Sequence, residues 1–137
     1  MRAIIGIVAA AMLVFATPAA ADCDDKAKAG VDWSGCQKAH LILRGMTMDN
    51  ATLTQADLSA TDFLEADLRK ADLTGATLAR SRLRKANLAG ARLDKVYAYR
   101  TNFREADLTG ASLAKAELDR ALMTEALLVG EIGRAHV

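Results

Sequence analysis

From Ala51 to Arg80 the chain reads ATLTQADLSATDFLEADLRKADLTGATLAR, and a large apolar residue returns at Leu53, Leu58, Phe63, Leu68, Leu73 and Leu78, always five places apart. Neither regular backbone can use that spacing. Five residues of α-helix advance about 500°, so successive leucines would be displaced by about 140° and spiral around the axis without forming a stripe. On a straight strand five is odd, and the leucines would alternate between opposite faces. A backbone that runs extended for a few residues and then turns a corner at each fifth one satisfies the pattern. Within each extended piece the period of two sends Ala66 and Leu68 inward and Asp67 and Arg69 outward. The corner then resets the phase.

The glycines report the same phase independently. Gly30, Gly35, Gly45, Gly75, Gly90, Gly110 and Gly130 all fall on the corner position, where a positive φ favours glycine. Corners without glycine carry mainly exposed polar residues. From Ala51 to Ala126 the small inward position is alanine in 12 of 16 cases, and from Leu53 to Leu128 the large one is leucine in 12 of 16. The expected core therefore includes Leu58, Phe63, Leu68, Leu73, Leu78, Leu83, Leu88, Leu93, Phe103, Leu108, Leu113 and Leu118. One interior swap conserves volume: Val96 is large where Ala98 is small. Asp57, Asp62, Asp67, Asp72, Asn87, Asn102 and Asp107 occupy the outward position before the leucine, where a short acceptor can bond turn backbone. That reading takes precedence over paired catalytic carboxylates.

The run ADLRKADLTGATLARSRLRKANLAGARL, residues 66–93, resembles the pentapeptide repeat family, whose motif is A(D/N)LXX. The likeness extends from Val31, in VDWSGC, to Gly130. It implies an all-β fold: a right-handed, quadrilateral parallel β-helix, a solenoid with four pentapeptides to a coil. Residues 31–130 would make about five coils and a rod roughly 24 Å long at strand spacing. Each coil would bury its leucines against its neighbours alone. The start departs from the motif, since Lys38 stands at a central inward position and Leu41, Met46 and Met48 replace the usual types. An irregular first coil or two is expected there.

Residues 1–21 read as a secretory signal peptide: Arg2, an apolar run from Ala3 to Phe15, then Ala19, Ala20 and Ala21. The run is short for a membrane span, Pro18 follows it, and Asp22 before Cys23 argues against lipidation. The expected product begins at Asp22, is periplasmic or secreted, and has no stable membrane insertion. Residues 22–30 would cap the open first coil, which otherwise exposes core and strand edge. Cys23 and Cys36 are the only cysteines, and in an oxidising compartment a disulfide between them would tie that cap down. Two free thiols and a metal site are the alternatives; with only His40 nearby, a metal lacks ligands. Residues 131–137 (EIGRAHV) break the phase, resemble a translated sequencing adapter and are expected to be non-native, in which case further coils or a cap would follow; the alternative is a short genuine tail. Leu122, Leu127 and Val129 point outward near that end and would suit a cap or an end-to-end homodimer.

Without Arg2, Glu131 and Arg134, the chain carries 16 basic and 16 acidic residues, so no global field steers it toward nucleic acid or anionic membranes. No phosphate loop, nucleophile triad or metal cluster is present, so no enzyme activity, cofactor or metal is expected. At twenty residues per coil, His40, Ala60, Arg80, Arg100 and Arg120 would share one corner column. Arg82, Arg84, Lys85 and Arg104 would lie on one side of it, Tyr97 and Tyr99 on the other. Guanidinium forks beside aromatic rings suit phosphate, carboxylate or sugar-acid groups. The alternative is a solvated edge partly neutralised by Glu65, Glu105, Asp119 and Glu125. The function expected is a non-enzymatic exported scaffold or interaction module with a protein partner. The competing readings are a DNA-mimicking, gyrase-protecting rod, as the family resemblance allows, and the repeat module of a longer chain. The neutral charge and the leader count against the first of these.

Overall fold

The computed structural model describes residues 21–130. All but the last residue of the expected leader, and the whole of the expected foreign tail, lie outside the described residues.

The backbone turns at every fifth residue. In each corner the small inward residue donates its N–H to the carbonyl of the preceding large one, as Ala66 does to Phe63 at 2.9 Å and Ala86 to Leu83 at 3.0 Å. The third residue of the turn has positive φ throughout, which makes these type II turns. Seven corners carry glycine, but fourteen other residues adopt φ between 53° and 63°, among them Ala60, Lys70 and Arg100. The left-handed region costs an L-residue about 1–2 kcal/mol. From Gly30 to Gly110 the corner N–H is bonded to the next coil, which holds this conformation: Arg80 donates to the Tyr99 carbonyl at 2.8 Å and Lys85 to that of Arg104 at 2.9 Å. Conformation rather than space favours glycine at these corners. A Cβ added to Gly75 would meet only Gln55 Cγ, at an ordinary 3.5 Å.

Parallel bridges join residues twenty apart, and with a corner every five residues the chain forms a four-sided tube. The first face carries the ladder Asp32, Thr52, Asp72, Arg92 and Ser112; the second Gln37, Asp57, Thr77, Tyr97 and Glu117. The third carries Ile42, Asp62, Arg82, Asn102 and Leu122; the fourth Thr47, Asp67, Asn87, Asp107 and Leu127. Each rung supplies two inter-coil bonds, for example Leu83 N–H to Asn102 O at 2.7 Å and Asn102 N–H to Ser81 O at 3.0 Å. Outward Asp and Asn residues brace the turns. Asp57 Oδ1 accepts from the Ser59 N–H and hydroxyl at 3.0 and 2.6 Å, and Asn87 Oδ1 from the Ala89 N–H at 3.1 Å. The Ser59 hydroxyl, then its N–H, holds the Asp57 carboxyl below its usual range despite partial burial.

The tube is filled by side chains. Leu58, Phe63, Leu68, Leu73, Leu78, Leu83, Leu88, Leu93, Phe103, Leu108, Leu113 and Leu118 are all buried, with the alanines between them and the Val96 and Ala98 pair. A fully buried leucine contributes about 1.5–3 kcal/mol relative to exposure. The few buried hydroxyls follow the third face: Thr61, Ser81 and Thr101 share one column and donate to the Lys38, Leu78 and Leu78 carbonyls respectively.

The first coil corrects one expectation. Its backbone is regular, with the same corners at Gly30, Gly35, His40 and Gly45 and an unbroken ladder from the Asp32–Thr52 bridge. Only its filling differs. Trp33 is buried and donates its ring N–H to the Asp25 carbonyl at 3.0 Å, closing the end. Lys38, though in an inward position, brings its ammonium 4.4 Å from the Trp33 ring centre and keeps it near solvent. Cys23 and Cys36 are joined as a disulfide, which anchors residues 22–30 against this end. Main-chain hydrogen bonding sets the backbone path, so unusual side chains alter the plug without altering the coil.

Candidate functional site

The corner between the second and third faces presents Arg80, Arg100 and Arg120 in one column, all exposed. On the second-face side, Tyr97 and Tyr99 stack with ring centres 6.4 Å apart and planes 10° from parallel. Tyr97 is exposed and Tyr99 half-buried. The guanidinium carbons of Arg100 and Arg120 each lie 6.0 Å from the Tyr99 ring centre, and Arg120 Nη1 reaches the Tyr99 hydroxyl at 3.4 Å. One tyrosine ring therefore touches two successive steps of the arginine column. Tyr97 and Tyr99 reach the same face because Ala98 points inward between them, as Val96 does before them.

The third face separates the remaining candidate cations into paired and unpaired groups. Asp62, nearly buried, bonds Arg44 Nε at 2.6 Å and Arg82 Nη2 at 2.9 Å, linking three successive coils. Burial pushes the Asp62 carboxyl up, but the Arg44 hydrogen bond, the Leu64 N–H and the charges of Arg82 and Arg44 outweigh it and leave it below the usual range. Arg84 bonds Glu105 at 2.8 Å and Lys85 lies 3.8 Å from the same carboxylate, which the Arg84 hydrogen bond holds below its usual range. Arg104 makes no ion pair among the described residues. Two hollows share Arg84 and Asn102. One, of about 230 Å³, is also lined by Arg44, Asp62, Leu64 and Arg82; the other, of about 390 Å³, by Arg104, Glu105, Thr124 and Glu125.

The structure thus spreads the nine candidate surface residues over the second and third faces and the two corners that follow them, with Arg84, Lys85 and Arg104 at the second of these corners, and gives them different states. Arg82, Arg84 and Lys85 are engaged by carboxylates; among the described residues Arg80, Arg100, Arg104 and Arg120 are not. Sequence reasoning missed Arg44 and Asp62. The twenty-residue column that sets Asp62 beside Arg82 was enough to suggest one pair, but Arg44 reaches Asp62 diagonally across coils. Among the described residues no group of three His, Cys, Asp or Glu side chains could hold a metal, and no helix is long and apolar enough to cross a membrane. Every buried side-chain nitrogen and oxygen among them has a hydrogen-bond partner.

The family model for pentapeptide repeats matches in eight copies, over residues 43–75, 61–97 and 101–130. Among solved structures, a pentapeptide repeat protein from the cyanobacterium Cyanothece is similar at 22% identity and a TM-score of 0.59, with 74% of this chain and 86% of that one covered. A pentapeptide repeat protein of the Arabidopsis thaliana thylakoid lumen is similar at 27% identity and a TM-score of 0.51, with 69% of this chain and 62% of that one covered. No curated protein sequence matches. Such repeats form right-handed β-helices, in keeping with the ladders described above. The bridge spacing, the corner phase and the family match agree, and the chain belongs to the pentapeptide repeat family.

Proposed function

We propose that this chain is an exported, non-enzymatic scaffold that binds an anionic partner in the periplasm or outside the cell. In this reading the leader 1–21 is removed, residues 22–30 close the first coil, and 31–130 form a rod of about five coils. The protein works by presenting a rigid face, without cofactor or covalent chemistry. The observation that carries this reading is the line of arginines at positions 80, 100 and 120, left unpaired beside two stacked tyrosines. Unpaired forks on a rigid wall need little ordering to bind carboxylate or phosphate. A DNA-mimicking rod would instead need an acidic wall, and the corner described here is basic.

The test is fractionation of cells producing the full chain, followed by cross-linking. A product starting at Asp22, found outside the cytoplasm and cross-linked to envelope material, is expected. Changing Arg80, Arg100 and Arg120 together to Gln should abolish the cross-link while leaving circular dichroism and melting unchanged. Cytoplasmic retention, or equal cross-linking by the variant, would sink the proposal.

A further inference from the structure

Resting on that binding reading, we propose that the arginine corner recognises a carboxylate-bearing polysaccharide laid along the tube axis. The argument begins with which arginines are left over. Nine arginines lie within the described residues, and five of them hold a carboxylate within 4.0 Å. The chain therefore neutralises arginine where its own carboxylates are in reach. Of the four left unpaired, three form one column. Glu117 on the adjoining face and Asp119 in the turn beside Arg120 make no ion pair with it among the described residues. The like charges in the column repel one another, a repulsion that a bound polyanion would relieve.

Corner N–H to carbonyl bonds stack the column at coil spacing, about 4.8 Å per step, so it presents a line of cations to a polymer lying along the tube. The flanking rings select the polymer. Tyr97 and Tyr99 offer parallel aromatic faces next to the cations. Aromatic faces pack against the C–H surface of a sugar ring, and a peptide carboxylate has no such surface. Because Tyr99 already contacts Arg100 and Arg120, it holds both forks outward while its neighbour Tyr97 remains open.

Calorimetric titration of the mature protein tests this with oligogalacturonate, poly-L-glutamate of matched charge and neutral dextran as probes. Oligogalacturonate is expected to bind at least about tenfold more tightly than polyglutamate, and dextran not to bind. The triple Arg80→Gln, Arg100→Gln, Arg120→Gln variant should lose tenfold or more, since each fork makes charge-assisted bonds. Tyr97→Ala should weaken the sugar acid and leave polyglutamate unchanged, whereas Arg69→Gln, on the fourth face, should change neither. Each variant is checked for an unaltered melting temperature. Polyglutamate binding as tightly as oligogalacturonate overturns the sugar assignment and leaves the anion-binding reading standing. Absence of binding to every polyanion overturns both.

Discussion

The first coil and the middle coils share one backbone and differ in what fills it. From Ala51 to Ala116 the interior is almost uniformly alanine and leucine, buried above and below by like coils. The end coil instead carries Trp33, a lysine in an inward position, a partly exposed Met46 and Leu41, and a disulfide to the preceding segment. A middle coil draws its stability from two neighbours. An end coil has one, and substitutes an aromatic plug and a covalent tie for the other. Repetition of a motif thus fixes the path of the chain, whereas termination of the stack needs residues outside the motif.

The largest effect should come from breaking the middle. Leu83→Lys places an unpaired ammonium between buried coils with no route to solvent, unlike Lys38 at the end. A loss of more than about 4 kcal/mol, enough to unfold the tube, is expected. Unchanged far-UV circular dichroism and melting would refute the inward assignment of the leucines.

Reduction should strike the other region. Opening the Cys23–Cys36 bridge, with 13 residues of separation, is expected to cost about 3 kcal/mol, felt first at the end coil. Hydrogen exchange should rise at Trp33 and Lys38 while Leu83 and Leu88 keep their protection. Uniform loss of protection would show that the end coil is no separate unit. Thiol labelling of the untreated protein gives the simpler check, since two reactive thiols would refute the bridge.

Acid should have the smallest effect and should act on both regions. The turn-bracing carboxylates of Asp32, Asp57 and Asp67, the Asp62 bridge and Glu105 all have folded pKa values below their unfolded ones. The folded state therefore binds fewer protons, and their contribution is complete above the unfolded value of about 4 and is lost as pH falls through the lower folded values. Melting temperature should be flat near neutrality and decline below about pH 4. Asp62→Asn should shrink that decline more than Asp32→Asn does, because only Asp62 links two arginines across coils. Equal slopes in both variants would show that the bridge adds nothing beyond turn bracing.

Much of the tube was legible in the chain because the information is local. Whether Ala66 or Asp67 points inward depends on the alternation within one extended piece, and where the corners fall follows from the five-residue phase of those inward residues. The corner conformation was legible at the glycines but less so at Ala60 or Lys70, whose positive φ is imposed by bonds to the following coil. The candidate surface was half legible. Column membership placed Arg80, Arg100 and Arg120 together and set Asp62 beside Arg82, but the columns could not show the diagonal pairs of Arg44 with Asp62 and of Arg84 with Glu105. The regular backbone of the first coil was misread for a related reason. Lys38 looks like a defect in a row of leucines, and only the open end of the stack allows its ammonium to escape over Trp33.

By itself, then, the sequence determined the five-residue phase, the division into inward and outward residues and the balanced net charge, all consequences of sterics within a few residues. The tertiary structure decided which cations are spent on neighbouring coils and which remain unpaired among the described residues. That choice depends on side chains some twenty residues apart, brought within 4 Å only when the chain has closed a full circuit.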